Sequence, residues 1–346
     1  MDREARVERV ARHTEELLTR EELGALFERS ERPRAYIGFE PSGRLTVGHL
    51  VCARKMIDLE EAGCELTVFL ADWHAWINDK LGGSLERIAA AGRYMGAAFR
   101  ALGVSESATR WRWANELTGS SEYWTRVVRV AKTTSLARTK RAMTILGRTE
   151  EEAQLDTAKL FYPAMQAADI FELPVDIAYA GMDQRRAHVL AREVAHHYGW
   201  PVPVAVHTPL ISSLKGGGRM DASSGPERKM SKSDPSGAIV LPSTEEEVTA
   251  RLKGAFCPAK EVDGNPVVEL ALHVVFPWRG RLTLARAPQH GGDRSFENAE
   301  EFRTAWLEGQ VHPADLKLAV AHELAEIIRP VGEYFARHPD GASAEF

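Results

Sequence analysis

Glu227-Arg-Lys-Met-Ser-Lys-Ser-Asp-Pro235 lies in a stretch crowded with Gly and Ser, and sets Lys229 and Lys232 on either side of Met-Ser. When a carboxylate attacks the α-phosphate of ATP, negative charge builds on the departing pyrophosphate. Ammonium groups that arrive with a closing loop stabilise that state more than the ground state. The plainer reading is a solvated basic turn. Upstream, Pro41-Ser-Gly-Arg-Leu-Thr-Val-Gly-His49 reads as a turn leading into a helix. Unpaired N–H groups and the positive end of the helix dipole suit a phosphate there. Gly48 lets an adenine or ribose approach the backbone, and His49 can donate to an oxygen as its charge develops. Taken alone, this segment also reads as a helix N-terminus with a surface histidine.

Two further groupings bear on chemistry. Tyr162, Gln166 and Asp169 are spaced by four and three residues, which puts them on one helix face. Hydroxyl, amide and carboxylate on one face of an otherwise apolar segment suit a polar ligand, or else a buried polar network between helix and sheet. From Tyr123 to Arg148 the chain carries Arg126, Arg129, Lys132, Arg138, Lys140, Arg141 and Arg148 with no acidic residue. In a chain of net charge −5 this is a local field suited to a polyanion, or a solvated helix face; the Arg185-Arg186 doublet adds to it. No Gly-Lys dipeptide or GxGxxG is present, so P-loop and dinucleotide patterns are absent. His322-Glu323 lacks the second histidine of a zinc-protease helix and reads as helix surface.

The elements that must hold these groups can be traced from periodicity. The 346 residues, 44% hydrophobic and 27% charged, suffice for two domains with buried cores. Helical spacing over 7–27 predicts a helical leader. Strands are predicted at 35–39, 66–71, 111–114, 175–179 and 202–206, with helices over 47–62, 85–102 and 185–198. Strands alternating with helices imply a parallel α/β sheet covered on both faces, with ligands beyond the carboxyl ends of the strands. Phe39–Ser42 and Ala71–His74 fall there. After Thr244 the texture is helical, with segments around 245–255, 266–275, 299–307 and 313–335. Cys52, Cys64 and Cys257 lack metal-ligand spacing. With no visible signal or membrane-length apolar stretch, the expected location is the cytoplasm, with no membrane and no protein-bound metal or organic cofactor.

Together, Ala35-Tyr-Ile-Gly-Phe-Glu-Pro-Ser-Gly43, Leu70-Ala-Asp-Trp-His74, Lys132-Thr-Thr134, Tyr162-Pro-Ala-Met-Gln166, Gly181-Met-Asp-Gln184, Lys229-Met-Ser-Lys-Ser233 and His312-Pro-Ala-Asp-Leu-Lys317 give the chain its resemblance to a known family. It resembles tyrosyl-tRNA synthetases of the archaeal/eukaryotic type, within class I. The resemblance implies a doubly wound Rossmann-type domain at 33–210 behind a leader at 1–32, with a dimerisation and acceptor-stem insertion at about 115–160. It further implies a mobile lysine loop at 211–240 and an all-helical anticodon-binding domain at 241–346. It implies ATP with Mg2+, tyrosine and tRNA(Tyr) as substrates, and a homodimer. By position, Tyr36 and Asp169 resemble the residues that meet the substrate phenol, and Tyr162, Gln166 and Gln184 those that hold its α-amino group. Gly48, His49, Asp183, Lys229 and Lys232 resemble the nucleotide contacts. Arg141, Arg185 and Arg186 resemble acceptor-stem contacts, and His312 and Asp315 anticodon contacts.

Two departures from the family pattern stand out. Thr46 replaces the histidine that usually opens the first motif; its hydroxyl can reach a phosphate oxygen but carries no charge. The stacking aromatic of the anticodon site has no clean match in Leu272–Val275; Phe276 and Trp278 lie nearby, and neither is assigned that role. A tryptophanyl-tRNA synthetase, a paralogue that uses a modified tyrosine or charges no tRNA, and a synthetase-like RNA-binding protein without catalysis are the alternatives.

Overall fold

The apolar run Ala35-Tyr-Ile-Gly-Phe39 forms the centre of a six-stranded sheet, where burial on both faces favours parallel neighbours. The computed structural model describes residues 1–142, 156–216, 229–231 and 234–339. Its contacts divide the chain into two units, Met1–Gly43 with Lys55–Thr208, and Arg44–Arg54 with the chain from Pro209 onward.

In the first unit the strands are β1 (Glu16–Leu18), β2 (Arg34–Phe39), β3 (Glu65–Leu70), β4 (Thr109–Trp113), β5 (Ile177–Gly181) and β6 (Val204–Thr208), in the order β1-β6-β5-β2-β3-β4. All neighbours are parallel except β1 on β6. From β2 the chain winds through β3 to β4, then returns to lay β5 on the other side of β2. The winding therefore reverses between β2 and β5, and the crevice beyond their carboxyl ends is the expected ligand position of such a sheet. Helices Leu85–Ala101 and Arg185–Tyr198 follow the predicted bounds closely, the latter stopped by Gly199 at φ 66°.

The leader departs from the single predicted helix. It is two helices, Arg3–Ala11 and Arg20–Arg29, separated by β1. The open edge of β6 offers unpaired N–H and C=O groups, and pairing Glu16–Leu18 with Ala205–His207 satisfies them. The second helix then starts afresh at a Thr19–Glu22 capping box.

The second unit is mainly helical: Glu245–Lys253, a run made of Pro266–Leu270, a π-helical turn Ala271–Val275 and Phe276–Arg279, then Ala299–Glu308 and Pro313–Arg337. It is not all-helical. Strands β7 (Leu282–Leu284) and β8 (Arg294–Phe296) form an antiparallel ribbon that buries Leu282, Leu284 and Phe296. At three residues each, these strands are too short for alternation to show in sequence. No helix among the described residues is long and apolar enough to cross a membrane.

Candidate active site

At the carboxyl end of β2, Tyr36 and Glu40 meet side chains from three helices. Helix Asp72–Ile77 follows β3 and brings His74, helix Ser121–Lys132 brings Tyr123, and helix Tyr162–Glu172 brings Tyr162, Gln166 and Asp169. Asp169 is only 1% exposed. The Tyr123 hydroxyl donates to its Oδ1 at 2.8 Å, and His74 Nε2 stands 3.1 Å from its Oδ2. A carboxylate so buried is tolerated only when it is met by donors or an opposite charge. Burial disfavours the charged imidazole of His74, but the Asp169 carboxylate outweighs it and raises the His74 pKa above the ordinary value. Burial, reinforced by the Asp169 charge, pushes the Tyr36 and Tyr123 phenols upward, so both stay protonated donors.

The predicted helix face is real, and each member has its own partner. The Tyr162 hydroxyl donates to Glu40 Oε1 at 2.7 Å, and its ring meets His74 edge-on at 4.9 Å. Gln166 Nε2 donates to Gln184 Oε1 at 3.0 Å, and Gln184 Nε2 to Asp183 Oδ2 at 3.2 Å. Asp183 and Gln184 lie just past β5, across the point where the winding reverses. Gln166 Oε1 and both ring nitrogens of His74 are buried polar atoms with no hydrogen-bond partner among the described residues, so His74 Nε2 meets Asp169 as a charge pair and not with hydrogen-bond geometry. Such atoms in a polar cluster mark where a ligand donor or acceptor belongs.

Glu40, His74 and Tyr123 received no role from the sequence. Glu40 and His74 lay within the stretches placed at strand ends, which was the available signal; Tyr123 opened a segment read only for its charge.

Residues Arg44 to His49 of the candidate phosphate segment belong to the second unit, and His49 begins helix His49–Glu61. Thr46 is buried at 2% exposure. Its backbone N–H donates to His49 Nδ1 at 3.0 Å, with its hydroxyl 3.1 Å from the same nitrogen. The Thr46 carbonyl oxygen lies 3.3 Å from the same nitrogen, so Thr46 surrounds Nδ1 and the Nε2 edge is the one turned from it. The Thr46 hydroxyl thus lies beside the His49 ring. A Cβ at Gly48 would lie 3.4 Å from Thr46 Oγ1, an ordinary van der Waals contact. Residues 45–47 are stitched to the far end of the lysine loop through Val47 N–H to Ile239 O and Leu241 N–H to Leu45 O, at 2.9 and 2.8 Å. At its near end Lys229 pairs with Ser212, and Met230 N–H donates to Ile211 O at 2.8 Å. Lys232 and Arg148 lie outside the described residues.

Among the candidate RNA contacts, Arg185 donates from Nε to both oxygens of Glu16 at 2.9 and 2.8 Å, while Glu16 also meets His207 Nδ1 at 2.9 Å. Arg186 donates to the Arg141 carbonyl at 3.1 Å, which joins these two arginines at the end of helix Leu136–Ala142. His312 caps helix Pro313–Arg337 by accepting from Ala314 N–H, and Asp315 sits in the first turn. Near the predicted stacking position, Phe276 is buried against Phe302, and the Trp278 indole donates to Leu50 O at 3.0 Å.

The family model "tRNA synthetases class I (W and Y)" matches residues 28–329. The chain belongs to this family. The synthetase is 46% identical over 338 residues to the tyrosine–tRNA ligase of Aeropyrum pernix, covering 96% of this chain and 93% of that one. It is 44% identical over 333 residues to that of Sulfurisphaera tokodaii, covering 95% and 92%. Among solved structures it resembles the tyrosyl-tRNA synthetase of Pyrococcus horikoshii complexed with L-tyrosine, with a TM-score of 0.90 at 40% identity over 99% of each chain. A tryptophanyl-tRNA synthetase from Aeropyrum pernix K1 shares the fold, with a TM-score of 0.68 at 20% identity over 93% and 83% of the chains.

Proposed function

We propose that this synthetase activates tyrosine with ATP, forming tyrosyl-adenylate and pyrophosphate, and then passes the tyrosyl group to the 3′ end of tRNA(Tyr). The observation that carries the choice of amino acid is the arrangement around Asp169. Tyr123 and His74 approach different oxygens of one buried carboxylate, which leaves it an acceptor for the hydroxyl of a phenol beside Tyr36. Phenylalanine would leave the Tyr36 hydroxyl and the remaining acceptor capacity of Asp169 unanswered, at a cost of about 1–3 kcal/mol for each buried polar group. An indole, the tryptophan alternative, has no phenolic oxygen to answer them. Gln166 Oε1, without a partner among the described residues, is the acceptor for the α-ammonium group, with Tyr162 and Gln184 beside it.

His49 offers its Nε2–H to a phosphate oxygen, Lys229 and Lys232 meet the charge on the departing pyrophosphate, and Gly48 and Asp183 take the nucleoside. Mg2+ enters with ATP as part of the substrate. Arg141, Arg185 and Arg186 serve the acceptor stem, and His312 and Asp315 the anticodon. A homodimer is supported by apolar side chains left exposed on the first unit: Val128 at 55%, Leu136 at 59% and Phe161 at 47%. We place the protein in the cytoplasm, where thiols such as Cys64 and Cys257 stay reduced.

Amino-acid-dependent ATP–pyrophosphate exchange followed by tRNA charging tests this reading. Tyrosine is expected to support both; exchange with tryptophan and not with tyrosine would refute it.

A further inference from the structure

Glu269 is a buried carboxylate far in sequence from every motif above, at 8% exposure on the helical run that begins at Pro266. Asn265, itself fully buried, caps that run and fixes its start. The carboxylate takes both donors of one residue, Ser212 N–H at 2.7 Å to Oε2 and the Ser212 hydroxyl at 3.0 Å to Oε1. Burial pushes its pKa upward, and these two bonds oppose that shift. Burying a carboxylate to hold one serine by two bonds costs free energy that an apolar contact would not, so ordinary packing does not account for it. Ser212 is the partner of Lys229 in the antiparallel bridge at the base of the lysine loop. Ten residues or so further along the same helical run, past the π-helical turn, Trp278 holds the carbonyl of Leu50, the residue after His49. One helical run thus grips the backbone beside both phosphate-binding groups.

We propose that Glu269 is a positioning residue for adenylate formation: by clamping Ser212 it sets where Lys229 stands relative to His49 for the departing pyrophosphate. The inference rests on the functional reading above and adds to it a residue outside every motif. Geometry of this kind affects the chemical step and leaves tyrosine binding alone, since a displacement of about 1 Å can lower a rate about 100-fold.

The test is a double-mutant cycle in tyrosine-dependent ATP–pyrophosphate exchange on the full chain. Glu269→Ala is expected to lower kcat roughly 10- to 100-fold with KM for tyrosine unchanged. Glu269→Gln is expected to restore most of it, since its carbonyl accepts from the Ser212 N–H and its amide donates to the hydroxyl oxygen. In the Lys229→Ala background, Glu269→Ala should slow the reaction no more than about twofold further, because its effect runs through Lys229. Full multiplication of the two losses, or a rise in KM for tyrosine equal to the fall in kcat, overturns the proposal. Should Glu269→Ala fail to fold, Ser212→Ala, which removes one donor, runs the same cycle with the same readings. No exchange by the wild-type chain would instead sink the functional reading, and the clamp's role with it; wild-type exchange with a fully multiplicative cycle sinks the clamp alone.

Discussion

Asp169 shows how much one buried charge can decide. Its oxygens face a phenol and an imidazole, both nearly or fully inaccessible, so the carboxylate cannot turn to water for a substitute partner. Asp169→Asn places an amide N–H where an acceptor is needed. It is expected to lower kcat/KM for tyrosine about 10- to 100-fold, the worth of one or more charged hydrogen bonds, with KM for ATP within about twofold. Equal loss for both substrates in exchange assays would mean that the pocket is misplaced. His74 gives a pH signature. Its folded pKa is raised, so its contribution to stability is fully present below the ordinary value of 6.5 and fades as pH rises through the raised one. The stability advantage of wild type over His74→Asn in denaturant titrations should therefore shrink as pH climbs above that value; an advantage that grows with pH would contradict the pairing. Gly38 is the quiet partner in this pocket. A Cβ there would lie 2.5 Å from the Tyr36 hydroxyl, two residues back on the same face of β2. Gly38→Ala should displace Tyr36 and raise KM for tyrosine selectively.

At the level of elements, close approach and buried charge set the packing. Helix Leu85–Ala101 lies against β4 through Gly92, where a Cβ would meet the Trp113 ring at 2.4 and 2.7 Å. Gly92→Ala should destabilise the protein by about 1–3 kcal/mol in chemical denaturation, since an indole ring cannot yield as the tip of a flexible chain can. The leader is held differently. Lys55, 1% exposed, donates to the carbonyls of Val10 and Arg12 at the end of helix Arg3–Ala11, next to the buried Asp58. Asp58 is also held by the Arg12 guanidinium, so Lys55→Met would leave that carboxylate to Arg12 and strand two carbonyls, costing about 1–3 kcal/mol for each stranded group; a loss under about 1 kcal/mol in denaturant titration would show that Arg12 alone suffices. Most elements were legible because their signals are local. Apolar runs bounded by Pro and Gly became strands, and Gly199 ended its helix where expected. The leader strand and the β7–β8 ribbon were not legible. Both are short, and each exists because a partner edge or a buried face elsewhere in the chain rewards it.

For the molecule as a whole, the exposed apolar side chains on helices Ser121–Lys132 and Leu136–Ala142 bear on assembly. If the proposed homodimer forms through this face, Val128→Asp with Leu136→Asp lowers the mass seen by light scattering to that of a monomer, with the circular dichroism spectrum retained; a wild-type chain that is already monomeric, or an unchanged mass, would contradict it. Order along the chain already carried the chemistry. The lysine pair, the Gly48-His49 turn and the Tyr162–Gln166–Asp169 spacing follow from neighbours within a few residues, where helix and strand periods alone set which side chains face together. Only folding could bring Tyr123 and His74 to Asp169 and seat Ser212 on Glu269. Those contacts join residues whose sequence separation bears no relation to their distance. They persist because buried charges and donors must find partners wherever the packed chain supplies them.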